Sequence, residues 1–362
     1  MKKIGVLPSQ MIKDIIKGGH ILGAKDENIN PSSLDLSISE EIYRVEGIFQ
    51  PRPSEKITDI LQANEVFPHD LNYPLERGVV YLCRLKENMA LPEKVYGYCN
   101  PKSSTGRNDV HVRVLANNVS RYDTVTPAGY KGDLWVAIHP RSFPIRLFAG
   151  LSLVQLRLFN QDTRFDETEL QIVFDKERLL WSGNRVLRYE DIKVRDNDGS
   201  VILTLGLSDK IAGFQCLGSS RVFDFSKTEY NPEDFFTPLF LNNGYIRLKA
   251  GGFYILTTKE AIRVPPYLSC EMAPMDERSG EFRSHYAGFV DSGWGWGRDG
   301  EGKGRPLTLE VRPFEDLIVR DNQPFAKIRF ERMTEKAERN YDQKENSNYK
   351  EQYCAKLSKH FT

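Results

Sequence analysis

The chain has 362 residues, 40% of them hydrophobic and 11% aromatic, which is enough for sizeable cores and long enough for two domains. Lys and Arg number 50, as do Asp and Glu, so the chain lacks the broad basic face of a general nucleic-acid binder, although a local cluster can still hold a small anion. The five cysteines (Cys83, Cys99, Cys216, Cys270 and Cys354) are scattered, odd in number and without CxxC spacing, which disfavours a disulfide framework and a cysteine-rich zinc site and fits free thiols in a reducing, cytoplasmic compartment.

The opening MKKIGVLPSQMIKDIIKGG carries two lysines but neither a long apolar core nor a small-residue cleavage site. No run of about 18 apolar residues occurs anywhere, so neither a leader nor a membrane span is expected. SQMIKDIIKGG (9–19) reads as a short helix, with Ser9 placed to cap it, Met11, Ile15 and Ile16 apolar, and a glycine pair at its end. After it the texture is β. GVVYLCRL (78–85), VHVRVLA (110–116), DLWVAIH (133–139) and LSLVQLRLF (151–159) are short alternating runs bounded by Pro, Gly and Asn, the pattern of a sandwich or barrel. Residues 161–200, containing RFDETELQ, WSGNR and RDNDGS, read as an elaborated connection or extra strands.

Then the pattern returns. GGFYILTTKEAIRVP (251–265) repeats GVVYLCRLKENMALP (78–92), RSGEFR (278–283) echoes KSSTGR (102–107), and QPFAKIRF (323–330) ends as LSLVQLRLF ends. The offsets (251 − 78 = 173, 278 − 102 = 176 and 330 − 159 = 171) agree in order and spacing. The expected fold is therefore mainly β, with few helices: a first barrel unit over 1–160, a second over 201–333, and a polar tail over 334–362 with room for a short helix.

Three features of the second unit point to chemistry. Arg278, Ser279 and Arg283 form a basic, hydroxyl-bearing cluster on a turn, which suits phosphate oxygens. AGFVDSGWGWG (287–297) joins glycines, which let a backbone approach a ligand, to Asp291 for a sugar hydroxyl and to Trp294 and Trp296 for covering a ring. Glu310 interrupts an apolar strand, where alternation sets Leu307, Leu309 and Val311 on one face and Thr308 with Glu310 on the other. Taken singly, these features read as a solvated loop, a turn with core packing, and a solvent-facing glutamate. Their order, partly echoed in the first unit, is what carries the functional reading.

That ordered set resembles the dCTP deaminases, relatives of the dUTPases with a trimeric β-barrel fold. The family's phosphate motif, its H-x-T-A-x-x-I-D-P-G-W-x-G run and its L-E strand are matched here by RSGEFR, SHYAGFVDSGW and TLEV; the first unit offers KSSTGR, VHVRV and TPAGYKG. PSSLDLSIS (31–39) is similar to the family's N-terminal P-A-S-L-D-L-R segment, and YDQKENSNYKEQ (341–352) to its phosphate-closing arm. The resemblance implies zinc-independent deamination of dCTP to dUTP, with Glu310 as general base and Ser279 and Arg283 supporting it. It further implies Arg278 on phosphate, Asp291 on the sugar, Tyr341 and Gln352 in the arm, and a homo-oligomer whose sites are shared between units. In the first unit the glutamate position falls on Ala137, yet Lys102, Ser103, Ser104, Arg107 and Gln155 are kept. In the second, Gly280 replaces a serine, and Asn348 stands where the family has lysine. A pocket pairing KSSTGR of one unit with Glu310 of another therefore stays open beside one made from second units alone.

The zinc route to deamination needs H-x-E and P-C-x-x-C spacing. None of the six histidines is followed by x-E and no C-x-x-C occurs, so a carboxylate base is expected, with Mg²⁺ carried on the triphosphate. No nucleic-acid or membrane partner is expected. A dUTPase-like or bifunctional enzyme releasing pyrophosphate, and a non-catalytic nucleotide-binding module, remain alternatives at this level.

Overall fold

The computed structural model describes residues 4–207, 210–344 and 349–362. Its first element, a helix over Ser9–Lys17, starts after Pro8, and Ser9 makes no side-chain cap; the expected serine cap is replaced by a proline whose ring pre-sets the entry. The helix ends as expected, with Gly18 donating to the Asp14 carbonyl. Among the described residues no helix is long and apolar enough to cross a membrane.

Six long strands build the first unit: β1 (Leu34–Val45), β2 (Val80–Ala90), β3 (Tyr96–Pro101), β4 (Val110–Ala116), β5 (Lys131–Pro140) and β6 (Ser152–Phe159). They hydrogen-bond in the order β3-β6-β1-β2-β5-β4, all antiparallel. The two ends of that order, β3 and β4, are consecutive in the chain, so the sheet curls into a nearly closed barrel and residues 102–109 span the gap. Alternation fills the inside: Leu34, Leu36 and Ile38 of β1, Val110, Val112 and Val114 of β4, and Leu134, Val136 and Ile138 of β5 share one core. Trp135 and Ala137 point the other way and pack with Ile57 and Leu61 from a helix over Ile57–Ala63.

The second unit repeats the plan with shorter strands: β7 (Val201–Thr204), β8 (Gly213–Cys216), β9 (Phe236–Leu239), β10 (Tyr254–Thr257), β11 (Leu268–Ala273), β12 (Phe282–Arg283), β13 (Phe289–Val290), β14 (Thr308–Pro313) and β15 (Pro324–Arg332). They form two sheets, β7-β15-β11-β13 and β9-β8-β10-β14-β12. Strand register shows how the two units correspond. In the first, Leu82 of β2 pairs with Ala137 of β5; in the second, Ile255 of β10 pairs with Glu310 of β14. Since 255 − 82 and 310 − 137 both equal 173, Ala137 and Glu310 occupy the same place in the two copies.

Residues 161–200 form an elaborated connection with strands of its own. A helix over Glu167–Glu177, capped by Asp166 and Glu169, sends Leu170 and Phe174 into the second unit's core, and a hairpin (Leu180–Ser182, Arg185–Leu187) pairs with Ala261–Ile262. The tail holds no helix among its described residues. It runs instead across the junction of the units and docks Phe361 among Phe223, Tyr230, Phe235 and Phe236. The junction is fastened by Arg157 of β6, fully buried, which donates to Glu331 of β15 at 2.9 Å and to the Cys270 carbonyl at 3.0 Å. A buried pair of this kind is costly to break from one side, which ties the two units together.

Candidate active site

In β14, Leu309 and Val311 enter the core, while Thr308 and Glu310 face a hollow of about 210 Å³. Glu310 is 2% exposed, and one carboxylate oxygen accepts the backbone N–H groups of Tyr286 at 2.8 Å and Ala287 at 2.7 Å. Burial, opposed by those two bonds and by the nearby Arg107, pushes its pKa up to about 7.

What lies against the carboxylate comes from the other unit. Residues Ser103–Gly106 make a single helical turn between β3 and β4, and the bare Cα of Gly106 packs on the Glu310 side chain so closely that a Cβ there would overlap the carboxylate. Gly106 is therefore required for proximity, the one service only a missing side chain performs. The same turn sends Lys102, Ser103, Ser104 and Arg107 into the hollow. Arg107 is held by the tail: it donates to the Gln352 side chain at 2.7 Å and to the Lys356 carbonyl at 2.9 Å, and lies 3.8 Å from the centre of the Tyr349 ring. Among the described residues its buried Nε has no hydrogen-bond partner, and neither has the Thr308 hydroxyl.

At the far wall Asp291 accepts from the Ser32 hydroxyl at 2.9 Å, and Arg157 in turn donates to Ser32, so the fastening residue and the wall of the hollow form one chain of bonds. Burial raises the Asp291 pKa, with Arg157 opposing. Trp294 and Tyr341 meet at 5.1 Å between ring centres. Lys102 pairs with Asp35, and Lys344 reaches the Asn30 side chain at 2.8 Å. A hollow with a carboxylate near neutral pKa at one wall, hydroxyls and three cations at another, and a ring platform beside a second carboxylate matches a phosphorylated sugar bearing a base.

The structure thus brings together Glu310, Asp291, Trp294, Tyr341, Gln352, Lys102, Ser103, Ser104 and Arg107. It does not bring Ser279, Arg283 or Arg278 with them, and their expected places are corrected here. Ser279 and Arg278 belong to a short surface turn on which Arg278 pairs with Asp276 at 2.7 Å. Arg283 lies in a different hollow against His111. The reason is topological: the turn facing Glu310 is the first unit's KSSTGR, so Ser103 and Arg107 stand where Ser279 and Arg283 were expected. Asn348 lies outside the described residues. Sequence reading assigned no role to Asn30, Ser32, Asp35, Arg157, Lys344 or Tyr349; the PSSLDLSIS segment was the available signal for Ser32 and Asp35, whereas Arg157 looks like any strand arginine.

Family models and a solved structure match the chain along most of its length. The family model for the N-terminal domain of 2′-deoxycytidine 5′-triphosphate deaminase matches residues 3–162, and that for its C-terminal domain matches residues 174–361. The solved 2′-deoxycytidine 5′-triphosphate deaminase of Agrobacterium tumefaciens superposes with a TM-score of 0.84 at 33% identity, covering 92% of this chain and 97% of that one. A dCTP deaminase of Ignicoccus hospitalis is 24% identical over 146 residues, 38% of this chain and 73% of that protein.

Proposed function

The chain belongs to the dCTP deaminase family in its two-domain form, and we propose that it converts dCTP to dUTP and ammonia in the hollow around Glu310, with that carboxylate as general base. The observation that carries the reading is a buried carboxylate with a pKa near 7, fixed by two backbone N–H groups and pressed against a serine- and arginine-bearing turn. A base tuned near the working pH transfers protons most effectively. Glu310 takes a proton from water as the water oxygen bonds to C4 of the cytosine and passes it to N3; it then takes the proton of the new C4 hydroxyl and passes it to the amine, so that C4–N breaks, ammonia leaves and a C4 carbonyl remains. Ser103 and Arg107, the latter with an unpartnered Nε, orient the water and stabilise the charge that develops. Asp291 holds the sugar, Trp294 and Tyr341 cover it, and Lys102 and Ser104 take phosphate oxygens. Magnesium enters as part of the substrate, coordinated through the triphosphate.

One chain supplies both halves of the hollow, so the homo-oligomer expected from the family resemblance is not what joins turn to glutamate. A reducing, cytoplasmic setting is part of the same reading, supported by five free thiols. The test is incubation with dCTP and Mg²⁺ followed by separation of nucleotides and assay of ammonia. Stoichiometric dUTP and ammonia are expected. Pyrophosphate with dUMP, or tight dCTP binding with no ammonia at any enzyme concentration, would overturn the reading.

A further inference from the structure

A second hollow, of about 550 Å³, opens where β4 of the first unit meets β12 of the second, and none of its lining residues is shared with the hollow around Glu310. Arg113, Arg283, His111 and His285 line it. Among the described residues neither Arg113 nor Arg283 pairs with a carboxylate; Arg113 lies over the Tyr122 ring at 5.0 Å, and Arg283 donates to Nε2 of His111 at 3.0 Å. Arginine only donates, so that imidazole nitrogen is an acceptor and His111 is neutral. Burial, Arg283 and Arg113 together push the His111 pKa down to about 3, and burial and Arg283 push His285 down to about 4. Arg141 adds to the same positive field. The hollow's one carboxylate, Asp123, is taken by Arg121 at 2.8 Å.

A half-buried guanidinium with no anion is costly, and two arginines converging on two neutral imidazoles leave several donors aimed at one space. We propose that this hollow is a second, non-catalytic anion site that takes a phosphate-bearing ligand, with Arg113 and Arg283 as the chelating pair and the two histidines becoming donors on protonation. The proposal does not depend on the role given to Glu310, because the two hollows have no residue in common.

The histidines supply the test, since none lines the catalytic hollow. The full-length protein, labelled at histidine ring carbons, is titrated with inorganic tripolyphosphate and, in a second arm, with dUTP. Saturable shifts of the His111 and His285 signals are expected, with both pKa values rising. Tighter binding of dUTP assigns the site to a nucleotide, and equal binding assigns it to bare phosphate. The Arg113→Met/Arg283→Met protein should bind about 10-fold or more weakly by these signals; Arg113→Met alone, at a half-exposed position, gives the same reading if the double variant fails to fold. Histidine signals that stay still while the anion inhibits deamination, that move equally in the double variant, or that stop moving in Lys102→Met would each overturn the proposal.

Discussion

The two units place the same strand position under different roofs. In the first, Ala137 is covered by the chain's own helix Ile57–Ala63, and with Trp135, Leu61 and Leu82 it forms a dry apolar cluster. In the second, Glu310 is covered by a turn borrowed from the first unit, whose glycine, hydroxyls and cations make a polar hollow. One fold can thus give a packing face or a reactive one, and what decides is the segment laid across that face. The first unit has the KSSTGR turn and an alanine at 137; the second has Glu310, and its own turn, RSGEFR, faces elsewhere. Neither unit contains the whole candidate site, and together they line one hollow.

The sharpest way to break this contrast is Glu310→Gln. Turnover should fall by about 10²–10⁴-fold, the usual worth of a general base, while dCTP still binds by calorimetry. Undiminished ammonia release would remove the base from the scheme. Next, Ser103→Ala should lower kcat/KM by about 10²–10³-fold if it stabilises developing charge, whereas Ser279→Ala on the surface turn should change it by about twofold at most; the reverse ranking would return the site to the second unit alone. Gly106→Ala puts a methyl into the carboxylate, and a displacement near 1 Å costs about 10²-fold in kcat. Melting temperature measured alongside separates this effect from misfolding.

The acid limb refines the comparison further. Glu310 acts as a base only when ionised, so kcat/KM should fall about tenfold per pH unit below pH 7. Glu87 of the first unit is also buried, and burial raises its pKa to about 7 against its two bonds from the Ser37 N–H. It lies outside the hollow, so Glu87→Gln should leave the limb where it is. For both groups the folded pKa exceeds the unfolded one, so the folded state holds the proton longer, and their contribution to stability declines as pH rises from about 4.5 to about 7. The smallest change in turnover is expected from Ala137→Glu. It adds a carboxylate to the apolar cluster, costs about 3 kcal/mol by denaturant unfolding, and creates no second activity.

Much of this was legible because β strands announce themselves by alternation. β2, β4, β5 and β6 fall within a few residues of their sequence patterns, and the 173-residue offset that equates Ala137 with Glu310 reappears as strand register. Asp291 stood out in a glycine- and tryptophan-rich run and Glu310 within an apolar strand, whereas the arm residues Tyr341 and Gln352 came only from the family resemblance. What alternation does not encode is which unit's turn crosses which strand. That depends on packing between units, set by long-range contacts such as Arg157 with Glu331, 174 residues apart. Hence Ser279 and Arg283 were placed where Ser103 and Arg107 belong. The proline entry to the first helix and the helix-free tail were lost to smaller local effects.

Phe361 anchors the far side of the segment that holds Arg107. Phe361 is held in its aromatic nest, the backbone of Tyr230 bonds both His360 and Thr362, and Gln352 bonds Arg107, so residues 349–362 are tied down at both ends. Closing a loop whose ends are already fixed forfeits less chain entropy than pinning down a free tail, because most of its wandering is already forbidden. A fusion partner joined after Thr362 would pull on the Phe361 nest, a footing separate from the bond between Gln352 and Arg107.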